Sequence, residues 1–395
     1  MAGTGARVAL PPGTAIPPDL VDRDAVLRAL RPFGQSRMLP PAAYTSPTVF
    51  AWEQRHLFAG TWACLGRADE LRFGGGESAA TQRAVAVGDV GVLLTWDAAG
   101  QVSAYANTCA HRSHELLPED GTSTRRSIIC PYHAWTYGLD GELRHAPGFH
   151  TEVELDPAEH RLVRLPVDTW AGWVFVHAAT TRAPTPLAAH IGAMAGILEP
   201  YAPERLTVRA RHTYEIAANW KVVTENYHEC YHCPLIHPEL CQVSPPTSGA
   251  NYDLPGAWVG GSMDLRPHAA TMSVTGASDG LPIAGVDPRR VEYLGLFPNL
   301  LVSAHPDYVM AHRLVPLAAG RTWIECTWLF PPADPAVDPA YAVEFWDLTN
   351  RQDWAACESV QRGLASPHAR AGPLAPGEDA VYQYVTMLAQ AYLGG

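Results

Sequence analysis

Between about residue 61 and residue 175, apolar and polar positions change over in short runs. Apolar runs fall at 84–87, 90–96 and 102–106, with Asp97-Ala-Ala-Gly100 as a turn, and again at 127–130, 134–137 and 173–177. Short strands with turn residues every 8–12 positions predict an all-β module. Ahead of it, 51–60 reads as a helix ending at Gly60. After about residue 184 the spacing turns helical, at 188–198 and around 220–232, and strands return at 291–302, 309–314 and 322–330. A long helix over 339–364, a Pro/Gly-rich linker and a last helix over 378–392 complete the pattern. The order predicts an α+β protein in which a β-module sits inside or before a larger α+β domain.

Composition narrows the class. A chain of 395 residues suggests two or three domains. With 47% hydrophobic and 17% charged residues it has the makings of a sizeable core. The net charge of −12 and a single lysine, Lys221, leave no basic footprint for nucleic acid or anionic membrane. No apolar run reaches the length of a membrane span, and the Pro- and Gly-rich start lacks the core of a signal peptide, so a cytoplasmic protein is expected. Eight Cys and 17 His then point to metals, since histidine is the commonest metal ligand and cysteines in such a chain are more often ligands or thiols than disulfides.

Two Cys-His pairs stand out. Cys109-x-His111 and Cys130-x2-His133 lie 18 residues apart, each beside a strand. Two Cys and two His suit tetrahedral zinc or a Rieske [2Fe–2S] centre. Zinc fingers usually pair like with like, whereas here each loop brings one Cys and one His, as a cluster clamped from two sides requires. A second constellation lies in Asn219-Trp-Lys-Val-Val-Thr-Glu-Asn-Tyr-His-Glu-Cys-Tyr-His-Cys-Pro-Leu-Ile-His237. Its His228-Glu-Cys-Tyr-His232 spells a zinc-protease motif, but Pro234 ends or kinks the helix just after it and no metzincin continuation follows. His232 and His237, across that break, suit a two-His-one-carboxylate iron site with open positions for O2. The carboxylate must come from far along the chain. Phe345, Leu348, Ala356, Val360 and Leu364 mark a stripe on the long helix on which Asp353 falls, with Asp347 and Glu344 as alternatives. A carboxylate on an apolar stripe calls for a partner or a metal. Cys230 and Cys233 read as packing thiols.

The segments Asn107-Thr-Cys-Ala-His-Arg112 and Cys130-Pro-Tyr-His-Ala-Trp-Thr-Tyr137 resemble the Rieske domain of the ring-hydroxylating non-haem iron oxygenases. The Asn219–His237 segment and Asp353-Trp-Ala-Ala-Cys-Glu-Ser-Val-Gln361 resemble the mononuclear iron site of the same family. The resemblance runs from about Phe50 to Arg362, with one departure: Ser113 and His114 follow Arg112 where the family usually has Gly. It implies a [2Fe–2S] cluster on Cys109, His111, Cys130 and His133, and Fe(II) on His232, His237 and Asp353. Asn226 would lie near the iron, and Glu229 would bridge to the cluster of a neighbouring subunit in a homotrimer. The implied fold is an antiparallel β Rieske module (49–180) and a helix-grip, START-like catalytic domain (181–395), with 1–48 packing on the latter.

The implied activity is that of a terminal oxygenase drawing electrons from NAD(P)H through a ferredoxin or flavin reductase component and oxidising a small molecule with O2. Glu229-Cys-Tyr-His-Cys233, His237-Pro-Glu-Leu240 and the run 346–353 look most like the branch acting on choline, glycine betaine and related methylated ammonium compounds. Oxidation there leads to N-demethylation or to oxidation of a carbon near nitrogen. Tyr252, Trp258, Tyr293 and Phe297 are candidate rings for the cation. Hydroxylation of an aromatic or natural-product scaffold is the alternative chemistry, and a plain Rieske electron carrier the alternative class.

Overall fold

The structure, a computed structural model, describes residues 7–8, 10, 14–73, 80–149, 155–179, 183–332 and 337–394. The chain divides into two compact units, Glu53–Pro184 and Met1–Trp52 together with Thr185–Gly395.

In Glu53–Pro184 all strands pair antiparallel. Thr122–Ser123, Thr81–Val87, Val90–Trp96, Val102–Ala106 and Arg164–Leu165 form a five-stranded sheet in that order. Ala63–Arg67, Trp173–Val176 and Val167–Trp170 form a three-stranded sheet. Val92, Leu94, Val174 and Val176, all fully buried, share one core. The hairpin joining Val87 to Val90 turns in two residues, which demands a positive φ that Gly88 supplies at 58°. The expected helix over 51–60 is instead Pro47–Glu53 followed by a π-helical turn, Gln54–Phe58. A smaller sheet, Ser127–Ile129, Thr136–Gly138 and Leu143–His145, carries the second Cys-His loop.

The other unit is built on a seven-stranded antiparallel sheet, ordered Thr207–Ile216, Arg321–Phe330, Val309–Ala318, Leu300–Ala304, Arg290–Leu296, Trp258–Asp264 and Ala250–Asn251. The 25-residue helix Ala340–Leu364 packs on it. Ala342, Phe345 and Trp346 share a core with Tyr308, Met310, Cys326, Trp328 and Phe330. Each large side chain so buried contributes roughly 1.5–3 kcal/mol. The stripe read from the sequence is corrected here. Leu348 and Val360 are exposed, and the buried positions are Ala342, Phe345, Trp346, Thr349, Asn350 and Cys357. The single strand read over 291–302 is two, Arg290–Leu296 and Leu300–Ala304; both faces are buried, so no alternation marks the turn between them.

The N-terminal stretch lies against this unit. Its helix Arg23–Ala29 meets Asp379–Tyr392, and the Ile16 N–H donates to the Tyr392 carbonyl at 2.7 Å. The Tyr44 hydroxyl donates to Glu225 Oε1 at 2.7 Å. Residues 1–6, 9 and 11–13 of the expected 1–48 segment lie outside the described residues.

Candidate metal centres

Two loops in the Glu53–Pro184 unit repeat one backbone design. The Cys109 N–H donates to the His114 carbonyl at 2.9 Å, and the Ser113 N–H to the Cys109 carbonyl at 3.0 Å. The Cys130 N–H donates to the Trp135 carbonyl at 2.8 Å, and the Ala134 N–H to the Cys130 carbonyl at 3.0 Å. Each turn closes through a residue in the left-handed region, Ser113 at φ 56° and Ala134 at φ 59°. Ser113 therefore occupies a position suited to Gly, the residue the family pattern has there.

These turns bury both thiols and leave the imidazoles outward: Cys109 and Cys130 are 2% exposed, while His133 is exposed and His111 half-buried. The two His rings sit 4.8 Å apart, and His111 stacks on Trp135 at 4.8 Å. Burial pushes the Cys130 thiol up, with Cys109 beside it. Close, buried sulfurs under two outward imidazoles fit a cluster with sulfur ligands on its inner iron and nitrogen ligands on its outer one. Tyr137, not singled out in the sequence, shares a 3.2 Å hydrogen bond with Cys109 Sγ and accepts one from the Ala110 N–H at 3.1 Å. His114 is exposed, and its Nδ1 lies against the Glu115 carbonyl.

The second centre lies in the other unit. Asn219 caps the helix Trp220–Tyr227 by accepting from the Lys221 N–H at 2.9 Å, and its Nδ2 donates to the Ala319 carbonyl at 2.6 Å. That helix ends at Tyr227, earlier than the 220–232 spacing suggested. Glu229 accounts for the difference: its Oε2 takes the Tyr231 and His232 N–H groups, which a continuing helix would have used internally. Cys230 and Cys233 form a disulfide and are not free packing thiols, because the loop brings their Cα atoms within 4.9 Å. His232 thus sits on a closed loop. His237 follows the short helix Cys233–Ile236.

Asp353, on the long helix, meets both imidazoles. His237 Nε2 lies 2.8 Å and His232 Nε2 3.3 Å from Asp353 Oδ1, and the two nitrogens lie 3.1 Å apart. Each ring is fixed from behind: His232 Nδ1 by Glu229 Oε1, and His237 Nδ1 by Gln352 Oε1 at 2.7 Å. With both Nδ1 atoms so engaged, both Nε2 atoms turn toward one point beside Asp353 Oδ1, as two metal-binding imidazoles would. Burial lowers the His232 pKa, but hydrogen bonds to Asp353 and Glu229 outweigh it and push it up to about 9. Burial raises Asp353, yet its two His partners hold it below the usual carboxylate range. The donor set fits a two-His-one-carboxylate metal site. The alternatives do not converge there: Asp347 is held by Tyr214 and Arg351, and Glu344 is exposed. Asn226 Nδ2 stands 3.5 Å from His232 Nε2. Gln352 was not picked out in the sequence; its adjacency to Asp353 was the available signal.

A cavity of about 630 Å³ opens on this triad. Trp346, Thr349, Asn350, Asp353 and Trp354 supply one wall at helical spacing. Gly261, Tyr293 and, on neighbouring strands, Leu301 and His312 supply the sheet side. Of the four rings expected to meet a cation, only Tyr293 lines it. Tyr252 bonds Glu292 at 2.9 Å, and Trp258 and Phe297 are in the core. Tyr227, Tyr231, Trp346 and Trp354 are the further aromatic lining residues.

Residues 61–166 match the Rieske [2Fe-2S] domain, and 203–394 the ring hydroxylating alpha subunit (catalytic domain). The chain belongs to the Rieske non-haem iron oxygenases, as an antiparallel Rieske domain joined to a helix-grip catalytic domain. It is the terminal, small-molecule-oxidising component of such a system, and its cofactors are a [2Fe–2S] cluster and mononuclear iron. It is 29% identical to the glycine betaine monooxygenase oxygenase subunit of Pseudomonas aeruginosa, over 89% of this chain and 88% of that protein. It is 32% identical to the carnitine monooxygenase oxygenase subunit of Escherichia coli, over 51% and 52%. Among solved structures, a quaternary ammonium Rieske monooxygenase matches with a TM-score of 0.74 at 24% identity, over 97% of this chain and all of that one. Naphthalene 1,2-dioxygenase from Rhodococcus matches at 0.72 and 17%, over 94% and 98%. Among the described residues, no helix is long and apolar enough to cross a membrane.

Proposed function

We propose that this oxygenase oxidises a methylated ammonium compound, with His232, His237 and Asp353 holding the iron and Cys109, His111, Cys130 and His133 the cluster. The observation that carries the reading is the cavity at the triad, whose lining includes the aromatic residues Tyr227, Tyr293, Trp346 and Trp354. The names of the relatives at 29% and 32% identity support the same class.

When bound, the iron supplies O2 activation and the cluster supplies single electrons. The chain's own residues do the rest. Glu229 and Gln352 aim the two imidazoles, and Asp353 completes the donor set from the long helix. Asn226 directs its amide toward the metal position, and the ring walls hold the ammonium group with an N-methyl toward the triad. One oxygen atom enters a methyl C–H bond, and the other leaves as water with two electrons and two protons. The hydroxymethyl group then loses its hydroxyl proton to solvent and departs as formaldehyde, the C–N electron pair remaining on the tertiary amine. Glu229 also serves as the link to a neighbouring subunit's cluster in a homotrimer. An NAD(P)H-dependent ferredoxin or flavin reductase delivers the electrons in the cytoplasm, and the division of labour follows domains at 49–180 and 181–395 with 1–48 packed on the latter.

The test is coupled turnover with a surrogate reductase. Formaldehyde release matched to NADH and O2 consumption with a methylated ammonium compound is the expected result. Turnover of an uncharged aromatic ring, with no ammonium compound oxidised, would overturn it.

A further inference from the structure

The charge inside the cavity separates methylated ammonium compounds into two groups. Glu229, Asp353 and Asp379 line it, and among the described residues no Lys or Arg does. His312 adds no positive charge, because burial pushes its pKa down to about 4. Several neutral donors along the wall are committed elsewhere, although the Tyr293 hydroxyl and Trp354 Nε1 are buried there without a partner. Asn251 Nδ2 donates to Asp379. Asn350 donates through Nδ2 to Cys326 Sγ at 3.8 Å, while its Oδ1 faces His312 Nε2 at 3.2 Å. The Thr349 hydroxyl donates to the Phe345 carbonyl at 3.0 Å, and Ser262 is hydrogen-bonded to Tyr252.

A carboxylate entering this cavity would lose its hydration, face like charges and find no Lys or Arg among the described lining residues. The charge of a divalent ion at the triad is itself offset by Asp353, and by Glu229 behind His232. A group carrying only positive charge meets the opposite situation: aromatic lining residues, and three carboxylates that exceed the charge of a divalent ion by one.

Resting on the ammonium reading above, we infer that the cavity selects quaternary ammonium ions that bear no anionic group and rejects zwitterions. The substrate preference therefore departs from that named for the glycine betaine and carnitine relatives. Asp379, outside the metal donor set, is a specificity residue on the cavity wall.

The experiment is equilibrium binding to the full-length holoprotein, by calorimetry, of choline, glycine betaine and L-carnitine at neutral pH and low salt. Choline is expected to bind at least about tenfold more tightly than either zwitterion. Asp379→Asn, checked for folding by its melting temperature, should narrow that ratio several-fold by weakening choline. Glycine betaine or carnitine binding as tightly as choline would overturn the charge selection and leave the ammonium reading standing. An unchanged ratio in Asp379→Asn would remove Asp379 from the selection. Binding of none of the three, together with oxidation of an uncharged ring, would overturn both.

Discussion

The two candidate centres solve opposite problems. The Cys-His centre is assembled from two loops of the same backbone design, its sulfurs buried and its imidazoles turned outward. The His-His-Asp centre draws on a closed loop, the end of a short helix and a long helix that begins about a hundred residues later, and its donors face a cavity walled by sheet and helix. Outward imidazoles suit a group that must receive and pass on electrons. Donors facing an aromatic-lined cavity suit one that must hold O2 and substrate together. One chain thus places its redox relay on short local turns and its chemistry on long-range packing.

Substitutions can pull the centres apart. The largest expected effect is that of Asp353→Ala, which removes the long-range donor. Substrate-dependent O2 consumption should be lost while the Rieske visible and EPR spectra persist. Full activity in that variant would mean that another carboxylate completes the site.

Next comes Glu229→Gln. Gln keeps an acceptor for His232 Nδ1 but drops the negative charge, so both metals should remain while turnover falls about 10–100-fold. Rapid mixing should show normal reduction of the cluster and slow reoxidation by substrate and O2. Loss of mononuclear iron instead would make Glu229 chiefly a support for His232.

A smaller effect is expected from Gln352→Leu, which frees His237 Nδ1. Iron affinity should weaken about tenfold, measured by chelator competition, and Gln352→Glu, which keeps the acceptor, should restore most of it. Equal losses in both variants would point to disturbed packing.

The smallest effect probes the cluster loops. Ser113→Gly should relieve a left-handed residue and stabilise the Rieske unit by about 1 kcal/mol, read from urea unfolding, with the cluster spectrum unchanged.

The same contrast explains what the sequence made legible. Cys109, His111, Cys130 and His133 lie within short turns, so their spacing carries the geometry. His232 and His237 were legible as a pair, but the backbone between them was not. The 220–232 stretch has helical spacing, yet Glu229 captures the N–H groups that a longer helix would use, and Cys230 and Cys233 close the loop. Asp353 was found from a stripe that included the exposed Leu348 and Val360. The face that matters is partly polar, Thr349, Asn350 and Asp353, because it borders a cavity, and hydrophobic periodicity does not mark such a face. The cavity rings Tyr227, Trp346 and Trp354 come together only through the fold, as does the Gln352–His237 contact.

The central claim is that one chain carries two separate iron centres. Iron and acid-labile sulfide, quantified together on the purified protein, test it most directly. About three irons and about two sulfides per chain are expected, with removal of one iron by a mild chelator leaving the sulfide and the Rieske EPR signal intact. About two irons with full sulfide, unchanged when ferrous iron is supplied anaerobically, would contradict the second centre, and zinc in place of iron and sulfide would contradict the first.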